Sequence, residues 1–69
     1  MTDSDLRKFA HDIRGPVHSA KLNLEMAETL AARGADADPK RLRKHLQIIK
    51  EELDKLEKNV AAFGKKLDS

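Results

Sequence analysis

Apolar residues recur along the chain at alternating spacings of four and three residues, in two separate runs. The first run contains Leu6, Ala10, Ile13, Val17, Ala20, Leu24, Ala27 and Ala31. The second contains Leu42, Leu46, Ile49, Leu53, Leu56, Val60, Phe63 and Leu67. This spacing is typical of one face of a coiled-coil-like helix, so each run predicts one long helix.

Local signals place the two ends of the first helix. Thr2 and Asp5 have the spacing of a capping box, and Ser4 is a competing N-cap. Gly34 is a natural stop, since glycine tolerates the left-handed conformation that often follows a helix. Together these signals predict helix 1 over about 4–33.

A short turn, predicted over 34–38, separates the two helices. Asp38 can cap the next helix and Pro39 suits its first position, which predicts helix 2 over about 39–66. So short a connection forces neighbouring helices to run antiparallel. Residues 1–69 are therefore predicted to form a single all-α domain, an antiparallel helical hairpin.

Size and composition favour a partner for this hairpin. The chain has 69 residues and no cysteine, and so small a core is marginal without disulfides, a metal or a second chain. The favoured architecture is a homodimer in which two hairpins form a four-helix bundle, and a monomeric hairpin with frayed ends is the alternative. The lack of cysteine fits a cytoplasmic setting. No apolar run approaches the roughly 18 residues that span a membrane.

Charge and histidine spacing favour neither a nucleic-acid nor a metal role. The chain has 14 basic and 12 acidic residues, interspersed, whereas a nucleic-acid binder typically shows a one-sided basic stripe. The basic cluster at 40–44 is interpreted as a solvated face. His11 and His18 lie about 10 Å apart along a helix, too far to share a zinc ion. We expect no cofactor or metal in this chain.

The least regular part of helix 1 is F-A-H-D-I-R-G-P-V, residues 9–17. Pro16 cannot donate a hydrogen bond to the carbonyl of Asp12, and Gly15 adds flexibility, so a bend is predicted just after His11. Two helix breakers beside an ionisable pair mark a candidate functional site. His11 should face solvent. A hydrogen bond from one of its ring nitrogens to the Asp12 carboxylate would make the other nitrogen a better nucleophile.

This segment resembles the H-box of bacterial sensor histidine kinases, usually written F-x-H-[ED]-[LI]-R-[TN]-P-L. The matching positions are Phe9, His11, Asp12, Ile13, Arg14 and Pro16, with Val17 as a conservative replacement. The predicted hairpin resembles the dimerisation and histidine-phosphotransfer domain of that family. The resemblance implies that His11 accepts a phosphoryl group and that Asp12 is its acid/base partner. Arg14 would contact the phosphoryl group or an acidic partner, and Phe9, Ile13 and Val17 would support the site by packing.

Two departures from the family pattern shape the functional hypothesis. Gly15 stands where the family usually has Thr or Asn, whose side chain helps to orient water for dephosphorylating the regulator, so phosphatase activity is not expected. No glycine-rich nucleotide loop is present, so the chain should not phosphorylate itself from ATP. As an enzyme it would be at most a phosphotransferase, or a fragment of a histidine kinase.

Two functional interpretations follow. In the first, His11 receives a phosphoryl group from an ATP-binding kinase domain acting in trans, or from a phosphorylated receiver aspartate. It then passes the group to the receiver domain of a response regulator, which docks beside helix 1. In the second, the hairpin is a scaffold or inhibitor that binds a histidine kinase or a receiver domain without carrying phosphate. The complete histidine site favours the first interpretation.

Overall fold

The computed structural model of the protein describes residues 2–34 and 38–68, and it contains two long α-helices in that part of the chain. The first, α1, spans Asp3–Ala32, and the second, α2, spans Pro39–Asp68. At its C-terminal end α2 runs two residues beyond the predicted limit. The two helices pack against each other, so the predicted all-helical hairpin is confirmed.

The N-terminus of α1 is held by the capping box that its sequence predicts. Thr2 is the N-cap, and its hydroxyl oxygen accepts a hydrogen bond of 3.2 Å from the backbone N–H of Asp5. The Asp5 carboxylate in turn accepts bonds from the backbone N–H and the hydroxyl of Thr2. The two bonds that Thr2 donates to the Asp5 carboxylate lower the pKa of Asp5 below its ordinary value, and the bond from the backbone N–H has the larger effect. The competing candidate, Ser4, lies inside the helix.

The other two helix ends beside the turn also follow their sequence signals. Gly34 has a φ of 62°, the left-handed conformation that favours glycine after a helix. At the start of α2, the Asp38 carboxylate accepts a 2.9 Å hydrogen bond from the backbone N–H of Lys40. Pro39 is the first residue of α2. The rest of the predicted turn, 35–37, lies outside the described residues.

Contacts between the helices show that they run antiparallel. The rings of Phe9 and Phe63 stack with centroids 4.2 Å apart, and nearer the turn Asn23 pairs with His45. Residues early in α1 therefore meet residues late in α2. We call 2–18 and 54–68 the open half of the hairpin; 19–34 and 38–53 form the turn half.

The two predicted apolar runs divide into an inward and an outward row. On α2, the alternate members Leu42, Ile49, Leu56 and Phe63 are half-buried against α1. On α1, Ile13 is likewise half-buried, while the other large apolar members of both runs are between 44% and 54% exposed. This second set, the outward seam, consists of Leu6, Val17, Leu24, Leu46, Leu53, Val60 and Leu67. Packing within one hairpin therefore covers only about half of the apolar pattern.

The hairpin is a thin rod of 52 × 16 × 12 Å, with a radius of gyration of 15.9 Å. A compact chain of the same length would have a radius of gyration of about 11 Å. The buried residues in the described part of the chain are Ala27, Leu30 and His45. Within the ranges that the structure describes, neither helix offers an apolar stretch sufficient to cross a membrane.

Candidate functional site

The candidate site lies on one exposed face of α1, in the open half. His11, Arg14, Gly15 and His18 are all exposed and, with Asp12, border an open depression of the surface. They share this face because helical residues three, four and seven apart lie on the same side. Phe9 packs on α2 from two residues earlier, about 200° around the helix. The predicted exposure of His11 is therefore confirmed, and the imidazole is accessible to a partner.

His11 and Asp12 are adjacent, but their side chains do not interact in this structure. Within residues 2–34 and 38–68, neither the His11 imidazole nor the Asp12 carboxylate forms a hydrogen bond with another residue. Adjacent helical residues point about 100° apart, so a bond between them requires a rotamer change. The acid/base pairing of Asp12 with His11 stays a prediction.

Behind this face, an amide from α2 reaches the backbone of Asp12. Pro16 lies inside α1, and it has no N–H to donate to the Asp12 carbonyl four residues earlier. The side-chain Nδ2 of Asn59 donates to that carbonyl oxygen over 3.4 Å. The Asn59 amide on α2 thus donates to the Asp12 carbonyl, which lacks its usual helical donor because that donor would be the N–H of residue 16, a proline. The predicted bend after His11 stays a prediction, since α1 is continuous through Pro16.

The apolar residues of the H-box have unequal roles. Phe9 and Ile13 are half-buried between the helices, and Phe9 stacks on Phe63 with the ring planes 15° apart. Both residues pack between the two helices, and their support of a site at His11 stays a prediction. Val17 lies on the outward seam and is 45% exposed in the single hairpin.

The position of Gly15 has room for a side chain. A Cβ added there would meet nothing within 4 Å, and the backbone of this residue is not in the left-handed region. Glycine in a helix interior costs about 1 kcal/mol relative to alanine. Within the hairpin, therefore, neither backbone conformation nor space requires glycine at this position.

Basic side chains border the site from the α2 side. Lys55 and Lys58 line a shallow depression together with Asp12, Pro16 and Asn59. Lys55 also forms an ion pair of 3.3 Å with Glu52. Cationic groups at this position favour the approach of a negatively charged group to the Asp12 end of the site.

A further polar contact, which the sequence analysis did not predict, lies in the turn half. His45 is only 9% exposed, and its Nδ1 lies 2.8 Å from Oδ1 of Asn23. Because the Asn23 amide nitrogen donates to the carbonyl of Ser19, its Oδ1 is the acceptor and the His45 ring nitrogen donates. This bond satisfies a polar group that would be costly to bury alone.

Three of these interhelical polar contacts come from residues spaced by whole heptads on α2. His45, Asn59 and Lys66 reach Asn23, the Asp12 carbonyl and Asp5, the last over 3.7 Å. The spacing was visible in the sequence as a polar residue three positions after each of Leu42, Leu56 and Phe63. A prediction from the apolar pattern alone misses this spacing, because it places only apolar residues on the face of α2 that packs against α1.

Comparisons with known proteins give no family assignment: no family model, no curated protein and no solved structure matches the chain. The described residues also contain no cluster of three or more metal-ligating side chains. Functional inference therefore depends on the H-box pattern and on the geometry described above.

Proposed function

We propose that this chain is a histidine phosphotransfer and dimerisation module of two-component signalling. His11 accepts a phosphoryl group and passes it to the aspartate of a response-regulator receiver domain, in the cytoplasm. The donor is an ATP-binding kinase domain in trans, or another phosphorylated receiver. The observation that carries the proposal is the exposed His11 imidazole at the matching position of an H-box-like segment, on the outer face of a helical hairpin.

The chemistry needs a nucleophile that a second protein can reach. One ring nitrogen of His11 attacks phosphorus, a nitrogen–phosphorus bond forms, and the bond to the donor's leaving group breaks. The attacking nitrogen is the unprotonated one, and the proton on the other ring nitrogen passes to Asp12 or to solvent as the phosphorylated ring loses its positive charge. Arg14 shares the exposed face with His11, where its guanidinium can pair with phosphoryl oxygens or with an acidic side chain of the receiver.

Exposed surface supports the dimer. The single hairpin exposes 5561 Å², against about 4,400 Å² for a compact monomer of this mass. The excess of about 1,200 Å² exceeds the ~800 Å² that each partner buries in a stable interface of ordinary size. Much of the large exposed apolar surface belongs to the outward seam, which runs along both helices. A second copy pairing seam to seam would complete a four-helix bundle and leave the His11 face accessible.

Phosphorylation of the isolated protein tests the proposal. Wild type and His11→Ala are incubated with phosphoramidate, which loses ammonia as its phosphoryl group moves to the ring nitrogen. We expect intact-mass analysis to find one acid-labile phosphoryl group on wild type and none on His11→Ala. His18→Ala is the matched control, since His18 lies on the same face, and we expect it to be labelled like wild type.

The second stage offers labelled protein to a panel of receiver domains. Loss of the label from His11 with gain of an aspartyl phosphate on a receiver supports the relay. A folded wild-type protein that takes no label from phosphoramidate or from any phosphorylated receiver would contradict phosphotransfer. The scaffold interpretation would then take its place.

A further inference from the structure

The Asp12 carbonyl is the point where a side chain of α2 reaches the backbone of α1 beside His11. In a regular helix the N–H four residues later bonds this oxygen, but here that residue is Pro16. The donor that reaches it is Nδ2 of Asn59, from 47 residues along the chain, over 3.4 Å. The bond is long for an N–H···O contact. Its importance comes from its acceptor, which has no donor four residues later in α1 because that residue is Pro16.

The Asn59 bond to Asp12 is itself exposed to solvent, and it lies beside the stacked rings of Phe9 and Phe63. Asn59 is half-buried, and Phe63, one turn further along α2, stacks on Phe9, three residues before Asp12. The ring stack and the amide bond therefore connect the same turn of α1, residues 9–12, to the same turn of α2, residues 59–63. Because the Cα atoms of adjacent residues are about 3.8 Å apart, an interaction that fixes the Asp12 peptide also fixes the backbone that carries His11.

We infer that Asn59 is a positioning residue for the reaction at His11. This inference rests on the proposed phosphotransfer. Asn59 holds the Asp12 peptide beside the proline site, and thereby sets the direction in which the His11 and Asp12 side chains leave the helix. A displacement of α2 relative to α1 breaks this bond and changes the reactivity of His11, so α2 controls the site without touching the phosphoryl group.

A double-mutant cycle with Pro16 separates this role from ordinary stabilisation. Asn59→Leu removes the donor at similar side-chain size, while Pro16→Ala restores an N–H that can bond the Asp12 carbonyl within the helix. In the wild-type background we expect Asn59→Leu to slow phosphorylation of His11 by phosphoramidate by about tenfold. In the Pro16→Ala background the same change should slow it less than about twofold. Asn59→Gln, which keeps the amide, should recover part of the rate.

Asn23→Leu is the matched control, since Asn23 is the other asparagine that joins the two helices. It should lower stability yet leave the rate at His11 unchanged at temperatures where all variants are folded. If Asn59→Leu and Asn23→Leu slow the reaction equally, or if the Asn59 effect persists undiminished with Pro16→Ala, the role of Asn59 is purely structural and the inference is wrong.

A second readout does not depend on phosphorylation. The ¹³C shift of the Asp12 carbonyl and the ring shifts of His11 should move in Asn59→Leu, and move much less when Pro16→Ala is also present. If wild type takes no phosphoryl group but the variants show these shift changes, the proposed function is wrong and the coupling of Asn59 to His11 still holds. Shifts that do not depend on Pro16 would overturn the coupling itself.

Discussion

The two halves of the hairpin differ in how firmly they are packed. The buried residues among those described, Ala27, Leu30 and His45, all lie in the turn half. In the open half, which carries His11, the stacked rings of Phe9 and Phe63 are half-buried, and the amide bond and ion pair around them are exposed. One end of the molecule therefore forms a small core, while the candidate chemistry lies at the other.

This difference is physically useful for a site that must accept partners. Elements that move or bind in function come from the less stable parts of a structure, because those parts open at little cost in free energy. A proline in mid-helix adds to this, since it removes one helical hydrogen bond near the site. We interpret the turn half as the anchor of the hairpin and the open half as the adjustable part.

The largest expected effect is on dimerisation, in which a second copy would bury the outward seam of the open half. Val60→Lys places a charge on the outward seam, where Val60 is 51% exposed in the single chain. Burying an unpaired ammonium costs several kcal/mol, and the dimer would contain two. We expect the dissociation constant to rise by at least about a hundredfold, measured by sedimentation equilibrium.

Leu22→Lys is the control for this experiment. Leu22 is 48% exposed but lies two residues from Leu24, about 200° around α1 from the seam. It should leave the dimer intact. If wild type stays monomeric at high concentration, or if both substitutions weaken the dimer equally, the outward seam is not the dimer interface.

The next effect tests the anchor. Leu30 is only 5% exposed, so Leu30→Ala should cost about 2–5 kcal/mol in the free energy of unfolding. Leu22→Ala, the same change at an exposed position, should cost less than about 0.5 kcal/mol. Urea unfolding followed by circular dichroism, at one fixed protein concentration, measures both. Similar costs at the two positions would mean that Leu30 does not belong to a packed core and that the turn half has no such anchor.

The smallest effect concerns the capping box at the open end. Thr2→Ala should lower the free energy of unfolding by about 1 kcal/mol. Loss of the cap should also speed amide hydrogen exchange in the first turn of α1.

The pKa of Asp5 is lowered in the folded chain from its ordinary 3.8. Its contribution to stability is therefore complete above that pH and disappears as the pH falls towards the lowered folded-state pKa.

The pH dependence has its own measurement. In an acid titration of helix content from about pH 6 to about pH 2, Asp5→Asn should lose less stability than wild type over the acid limb. Identical acid limbs for the two proteins would show that the capping carboxylate does not contribute.

The sequence predicted the helices and the exposed histidine face well, because both depend on local signals. Helical periodicity identified α1 and α2, Asp38 was predicted as a cap, and Thr2, one of two candidates together with Ser4, is the N-cap of α1. It did not distinguish Val60 from Phe63, since both fit the same apolar pattern and only the packing of α1 on α2 separates them. It also missed Asn59, whose bond joins positions far apart in the chain and depends on the register of the two helices.

The exposure of His11 has one more consequence, for the lifetime of a signal. Active sites protect reactive intermediates by closing over them and excluding water, whereas the His11 face is open and Gly15 beside it has no side chain. A phosphoryl group on this imidazole would be hydrated on most sides until a receiver covered it. Under the proposed function, phosphorylated His11 would therefore be a short-lived carrier, and its level would depend on continued supply of phosphoryl groups by the donor.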